Sequence, residues 1–117
     1  MKKFIIVLSI VVLSYVNTYS QSISCQKVFE IVTTQYDSKE DISCYGSTML
    51  VKAEYYKLDN KGYVVAYIKK NEYDFKGSPY IFCDIPGMNW ASFKYNAKSS
   101  WGESFHAYIS DYKCNCN

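Results

Sequence analysis

Five cysteines constrain the fold of this chain more than any other feature. Cys25, Cys44, Cys83, Cys114 and Cys116 all lie beyond residue 20 of a 117-residue chain. This length allows one domain with a modest hydrophobic core. In exported domains of this size, cysteines usually form disulfides, each of which stabilises the fold by about 2–4 kcal/mol. Because five is an odd number, at least one thiol stays free or pairs with another chain.

The N-terminal segment has the pattern of a secretory signal peptide. An apolar run over residues 4–13 follows two lysines, and Thr18 and Ser20 occupy the positions before a predicted cleavage site. The pattern predicts that residues 1–20 are removed and that the mature chain begins at Gln21. We therefore expect a secreted or periplasmic protein.

Two other interpretations of this segment fit the sequence less well. A membrane anchor needs about 20 apolar residues, and the run here is shorter. A lipoprotein signal ending at Cys25 would have leucine where Ser22 stands, and Cys25 lies far from the apolar run. We expect no stable membrane insertion after cleavage.

The charge balance argues against nucleic acid as the partner. The chain has 13 lysines, no arginine and 11 acidic residues, so removal of the two signal-peptide lysines leaves a formal net charge of zero. Nucleic-acid-binding proteins usually show a basic excess and use arginine. An alternative, a nucleic-acid-binding module with an aromatic sheet face, stays open. It predicts one basic face made of Lys52, Lys57, Lys69 and Lys70.

Apolar spacing predicts the first helix and three strands. Apolar residues between 28 and 32 share one helical face behind a cap at Ser24, which predicts a helix over residues 24–36. The polar segment that follows, with Cys44, is predicted to be a loop. Three alternating segments joined by short loops predict an antiparallel meander. Their ranges are 48–58, 63–70 and 80–85.

Two helices are predicted after the meander. Trp90 and Phe93 suit a short helix, and Ser99 or Ser100 would cap a final helix. The apolar residues of the final helix are Trp101, Phe105, Tyr108, Ile109 and Tyr112. The predicted fold is α+β, a three-stranded antiparallel meander packed by two C-terminal helices, with an extra N-terminal helix.

The second and third predicted strands are apolar on both faces, which a sheet with one wet face would not be. One arrangement covers one face with the helix over residues 24–36 and the other with the C-terminal helices. The other arrangement leaves a tyrosine-rich face open as a binding platform. We favour coverage, because ordered apolar surface is more often core.

A series of short motifs runs from residue 47 to residue 112. They are Ser47–Thr48, Tyr80-Ile81-Phe82 running into Ile85–Pro86, then Trp90 and Phe93, and "AKSSWGESFHAYISDY" over 97–112. In this order the motifs resemble the KTSC domain, a short module named for the C-terminus of some lysyl-tRNA synthetases. The resemblance implies a fold and brings no established biochemical activity.

The chain departs from the KTSC pattern in several places. Phe82 stands where the family usually has a second tyrosine, so no role of that hydroxyl transfers. The signal peptide, the first helix and the extra cysteines resemble secreted versions from Bacteroidetes-type bacteria. We therefore divide the chain into four predicted parts. They are a signal peptide (1–20), a helix and loop extension (21–46), a KTSC-like domain (47–112) and a cysteine-containing tail (113–117).

Geometry limits how the cysteines can pair. A bond between Cys114 and Cys116 would close a very tight ring, so each should pair elsewhere. Cys83 alternates with isoleucines in the third strand, which predicts a buried free thiol. Cys25 and Cys44 are then the natural partners of the two tail cysteines. Two schemes stay open, 25–114 with 44–116, and 25–116 with 44–114.

Catalytic chemistry finds little support in the sequence. His106, Cys114 and Cys116 could form a metal- or thiol-dependent site, but their spacing matches no common zinc pattern. A cysteine nucleophile would need a thiol of low pKa beside His106, the single histidine. We expect no enzyme activity, cofactor or metal, and keep this site as an alternative.

The remaining interpretation is a non-catalytic binding or interaction module with an unknown protein or small-molecule ligand. Aromatic residues near the third strand and the following helices are the candidate ligand-binding residues. They are Tyr80, Phe82, Trp90 and Trp101. Core packing is the competing expectation for all four, and we favour it for Trp90.

Overall fold

The computed structural model describes residues 23–98 and 100–116, so the predicted signal peptide lies outside the described residues. The domain is α+β, with a four-stranded antiparallel sheet in the order β1-β2-β3-β4 and three α-helices. The elements are α1 Cys25–Gln35, β1 Ser38–Ser43, β2 Leu50–Leu58, β3 Lys61–Ile68, β4 Ser78–Phe82, α2 Gly87–Tyr95, a 3-10 turn Asn96–Lys98 and α3 Trp101–Tyr108.

The first helix begins where its capping residue predicts. The Ser24 hydroxyl accepts a hydrogen bond from the backbone N–H of Lys27 at 3.1 Å, which satisfies one of the unpaired donors at the helix start. Val32 is buried against Tyr56 and Val65 of the sheet, and Val28 packs beside it. The prediction of a helix over residues 24–36 is confirmed to within one residue at each end.

The predicted loop after this helix is wrong in its first part, because Ser38–Ser43 forms the edge strand β1. Its register against β2 runs from Ser38 opposite Lys57 to Ser43 opposite Lys52. Charged, exposed residues are typical of edge strands, since they discourage pairing with other chains. The sheet therefore has four strands and not three, and β1 joins the predicted extension to the predicted KTSC-like part.

The meander itself has the predicted order. Asp59 and Asn60 form the two-residue turn between β2 and β3, with φ values of 52° and 64°. Two consecutive positive φ values are those of a type I′ turn, whose twist matches that of antiparallel strands. Asp and Asn tolerate this conformation better than most residues.

Both faces of the sheet are covered, as predicted. One cluster packs the sheet against α2 and α3, and it includes Leu50, Tyr55, Val64, Trp90, Phe93 and Phe105. The other packs α1 on the opposite face through Val32, Tyr56 and Val65. Because side chains alternate along a strand, neighbours such as Tyr55 and Tyr56 enter different clusters.

A buried carboxylate joins the edge strand to the sheet beside α1. Glu54 accepts a hydrogen bond from the Tyr56 hydroxyl at 3.0 Å, and its Oε2 lies 3.4 Å from Lys39 and 3.5 Å from Lys52. Burial, and then the Glu54 carboxylate, raise the pKa of Tyr56 to about 12. The two lysines compensate a charge that would be costly to bury alone.

Two disulfides fix the C-terminal tail, Cys25–Cys116 to the first helix and Cys83–Cys114 to the end of β4. Their Cα–Cα distances are 5.1 Å and 4.8 Å. Each tail cysteine pairs elsewhere, as expected, and Cys25–Cys116 belongs to one of the two schemes. The placement of Cys44 in a disulfide is wrong, because Cys44 is buried in the core as a free thiol.

The prediction that Cys83 is a free buried thiol is also wrong. β4 ends at Phe82, and Asp84 has a φ of 56°, so the alternation expected through residue 85 stops early. The backbone N–H of Cys83 instead donates to the Tyr112 carbonyl at 2.8 Å. The tail thus runs beside the end of β4, where Cys114 meets Cys83.

Gly62 provides a test of the packing at the start of β3. A Cβ at this position would collide with the Tyr55 hydroxyl and the Ile85 carbonyl. We expect Gly62→Ala to lower the free energy of unfolding in urea by about 1–3 kcal/mol. As a control, Gly102→Ala places its Cβ in ordinary contact 3.6 Å from a Met49 sulfur, and should leave stability equal or raise it by up to about 1 kcal/mol. Equal stability of Gly62→Ala and the wild type would contradict this packing.

The disulfides predict the thiol count of the exported protein. Under denaturing, non-reducing conditions, a maleimide should add to one thiol, that of Cys44. In the folded protein it should not add, because burial raises the pKa of the Cys44 thiol to about 12 and thiolate is the reactive form. Mass spectrometry reads both states, with Cys44→Ser as the control that takes up no label. Three or more labelled thiols would contradict the two disulfides.

Candidate functional site

The four aromatic residues predicted to bind a ligand do not form one surface. Trp90 is 3% exposed and stacks on Tyr55 with ring centroids 5.1 Å apart, and Phe82 is buried in the same cluster. Tyr80 is half exposed at the outer edge of β4, whereas Trp101 lies at the start of α3. Trp90 and Phe82 therefore pack in the core, which is the competing expectation for these aromatic residues.

Tyr80 and Phe82 do line a groove of about 470 Å³ along the outer side of β4. The groove lies between the start of α1 and the tail, where Cys25 and Cys114 each take part in a disulfide. Pro79 also lines it, and proline has no N–H with which to pair an added strand. The groove is therefore poorly suited to strand addition.

The alternative metal- or thiol-dependent site at His106 has no free thiols among its predicted residues. Cys114 and Cys116 are both in disulfides, and neither sulfur is a free ligand or nucleophile. His106 is exposed on α3, and its ring contacts Phe105. Within residues 23–98 and 100–116, no group of three or more His, Cys, Asp or Glu side chains could hold a metal ion.

The four lysines proposed for a basic face are also separated. Lys52 lies 3.5 Å from Glu54 and over the ring of Tyr67, while Lys57 stands near the other end of β2. An odd number of positions separates these two lysines, so they point to opposite faces of the strand. Lys69 donates its amine to the Ser47 carbonyl at 2.9 Å. This placement gives no support to a nucleic-acid platform.

A different set of aromatic side chains faces solvent where the β1–β2 and β3–β4 loops lie side by side. We call Tyr45, Tyr73 and Phe75 the aromatic tip. Their exposed fractions are 93%, 76% and 79%. Antiparallel pairing brings both loops to the same end of the sheet, and Tyr45 and Phe75 line one shallow depression there.

The β3–β4 loop is held by the carboxylate of Asp74. Its oxygens accept hydrogen bonds from the backbone N–H groups of Lys70 at 3.0 Å, Gly77 at 2.9 Å and Lys76 at 3.2 Å. The Asn71 side chain accepts from Tyr73 N–H at 2.9 Å. Side chains that hydrogen-bond the nearby backbone in this way define turns. The loop thus has a fixed conformation while its two rings remain in water.

Gly77 closes this loop against β3. Its φ is +70°, a conformation that favours glycine. A Cβ at this position would stand 2.9 Å from the backbone carbon of Tyr67. Both backbone conformation and space therefore require glycine where the loop returns to the sheet.

Lys69 fixes the two loops relative to each other. Its backbone N–H donates to the Met49 carbonyl at 2.8 Å, and its amine reaches the Ser47 carbonyl at 2.9 Å. The Ser47 hydroxyl in turn accepts from the N–H groups of Met49 and Leu50. The aromatic tip is therefore carried by two loops that are joined by hydrogen bonds.

Sequence reasoning missed the aromatic tip, because it searched for ligand residues in strands and helices. One signal was present in "NEYDFKG". Asn71, Asp74 and Gly77 are turn-forming residues, and two aromatics stand between them without any apolar periodicity. Aromatic side chains placed between turn residues indicate rings held outside the core.

Asp74 provides a pH test of this loop. Hydrogen bonds from the N–H groups of Gly77 and Lys70 hold the pKa of the Asp74 carboxyl below its usual range. Because the folded pKa is lowered, the stabilisation is present above the unfolded pKa of about 3.9 and is lost as pH falls through the folded value. In an NMR titration, the amide signals of Gly77 and Lys76 should move with a midpoint below that of an ordinary aspartate.

The matched variant for this test is Asp74→Ala. It should abolish the titration and speed hydrogen exchange at the amides of Lys70, Lys76 and Gly77, while exchange in β2 and β3 stays unchanged. Asp111→Ala, which changes an exposed acid after α3, should alter neither. A normal midpoint for Asp74 would show that its carboxylate does not hold the loop.

Comparisons with protein-family models, with curated proteins and with solved structures found no match for this chain. The resemblance to the KTSC domain therefore stays a prediction from the sequence motifs. Any functional conclusion has to come from the chain's own residues.

Proposed function

We propose that this protein is an exported, KTSC-like, non-catalytic binding module whose contact surface is the aromatic tip. One observation carries the proposal. Tyr73 and Phe75 are 76% and 79% exposed on a loop that Asp74 fixes through three backbone hydrogen bonds. Ordering this loop costs conformational entropy, and neither ring is buried in the core to offset that cost.

Rings in this state are well prepared for binding. Aromatic side chains dominate the energetics of many interfaces, and they contribute large area for few rotatable bonds. A loop that is already ordered loses less entropy on association than a mobile one. Tyr45, on the neighbouring loop, extends the same surface. These properties favour a contact surface over a structural role for the aromatic tip.

The state of the cysteines supports the non-catalytic part of the proposal. The two disulfides use four of the five cysteine sulfurs. Burial raises the pKa of the fifth, Cys44, to about 12, which disfavours a nucleophilic thiolate. Disulfides are also typical of proteins outside the cytoplasm, in line with the predicted signal peptide.

A serine variant of all three tip residues tests the proposal. Tyr45→Ser, Tyr73→Ser and Phe75→Ser together should change the free energy of unfolding by no more than about 0.5 kcal/mol per site, as at other exposed positions. The exported wild-type protein should co-sediment with the envelope fraction of the bacterium that expresses it, and the triple variant should stay in solution. Met88→Ser is the matched control, because Met88 is 82% exposed on α2.

The two readouts separate binding from folding. Tip-dependent co-sedimentation with unchanged stability supports a binding surface. A loss of several kcal/mol in the triple variant would instead show that the rings stabilise the fold. Equal co-sedimentation of the wild type and both variants, or of none of them, would contradict the proposal.

A further inference from the structure

We propose that the aromatic tip docks on the surface of an anionic lipid bilayer. This inference rests on the proposed function, since it names the partner of the same surface. Three properties of the tip carry it, namely the high exposure of its rings, the lysines that flank the rings and the chemistry of the rings themselves.

The shape of the tip suits a broad, soft partner. Small-molecule sites are concave and enclose most of the ligand, but Tyr45, Tyr73 and Phe75 are between 76% and 93% exposed. The depression that Tyr45 and Phe75 share has a volume of about 300 Å³, at the lower limit for small-molecule sites. Protruding rings at the end of a rigid sheet can enter a lipid interface without any change in the fold.

Charge around the rings is biased toward an anionic surface. Lys69, Lys70 and Lys76 belong to the same loop as Tyr73 and Phe75. Of the two acids in that loop, Asp74 directs its carboxylate at three backbone N–H groups. The loop therefore carries three lysines against two carboxylates, a formal net charge of +1. Near an anionic membrane each lysine strengthens binding by about fivefold.

At the opposite end of the sheet, acidic residues outnumber lysines. Asp37, Asp59 and Asp84 lie there with Lys57 and Lys61, around the β2–β3 turn. The backbone N–H of Asp59 donates to the Asp37 carboxylate at 3.1 Å, which keeps these acids together. An anionic surface would therefore attract the end with the rings and repel the end with the turn.

The ring chemistry matches the interfacial layer of a bilayer. Tyrosine combines an apolar ring with a hydroxyl and is enriched at membrane surfaces, and lysine can keep its ammonium in water while its methylenes contact lipid. Phe75 supplies a purely apolar side chain. Among the described residues, no helix has the length and hydropathy needed to cross a bilayer, and the proposed contact is peripheral.

Vesicle binding by the exported protein tests this inference. The protein is purified after export and its N-terminus is established by mass spectrometry. It is then mixed with vesicles of phosphatidylcholine with or without phosphatidylglycerol. We expect co-sedimentation with the anionic vesicles at low salt and its loss at high salt. The affinity of the triple serine variant for anionic vesicles should be at least about tenfold lower than that of the wild type. The affinity of Met88→Ser should equal that of the wild type.

A charge variant and a fluorescent variant locate the contact. Lys70→Gln with Lys76→Gln should weaken binding by about 25-fold. Phe75→Trp should show a blue shift of its emission on binding, and quenching by lipids with brominated chains. Trp90 is buried, whereas Trp101 is half-buried and lines a depression together with Tyr45, so the emission of the wild type on vesicles is subtracted as the background.

The outcomes distinguish the two proposals. Tip-dependent envelope binding without vesicle binding overturns the bilayer as partner and leaves the binding module intact. Equal binding to neutral and anionic vesicles overturns the role of the lysines. Concentration-dependent dimers that the triple variant abolishes would assign the tip to a second copy of the chain instead. Measurable vesicle binding that is equal in the wild type and the triple variant overturns the tip as the membrane contact, and envelope binding that is also equal in the two overturns the binding module.

Discussion

A sheet that is apolar on both faces is the constraint on which the rest of this structure depends. β2 and β3 cannot leave either face in water, so α1 has to cover one face and α2 with α3 the other. The chain satisfies this requirement with one helix before the sheet and two after it. Cys83–Cys114 then fixes the tail beside β4. With both faces covered, Tyr45, Tyr73 and Phe75 stand exposed at the loop end of the sheet.

Much of this architecture follows from short-range patterns in the sequence. Ser24 and Ser100 accept the capping hydrogen bonds expected of them, and the Asp59–Asn60 turn joins β2 and β3 as its residue types predict. Coverage of both faces could be inferred because no alternation of polar residues marks a wet face. β1 could not, because Ile42 is its only apolar residue and the strand is defined by pairing with β2.

The disulfide pairing and the position of the aromatic tip could not be predicted from the alternation of apolar and polar residues. Cys83 turns toward the tail because the strand stops one residue earlier, whereas Cys44 enters the core from a polar segment. The aromatic tip required knowledge of which loops adjoin, and that follows only from the four-strand order. Of the four predicted ligand residues, Tyr80 is the most exposed, and it lies outside the aromatic tip.

The bond between Cys25 and Cys116 has a mechanical consequence. It joins residues 91 positions apart, near the two limits of the described chain. A pull applied to the segments that precede Cys25 and follow Cys116 would pass through the sulfur–sulfur bond and would not load the sheet. The domain would then resist stretching until the bond is reduced, whatever the strength of its strand pairing. A reducing environment would change not only its stability but also which part of the molecule bears force.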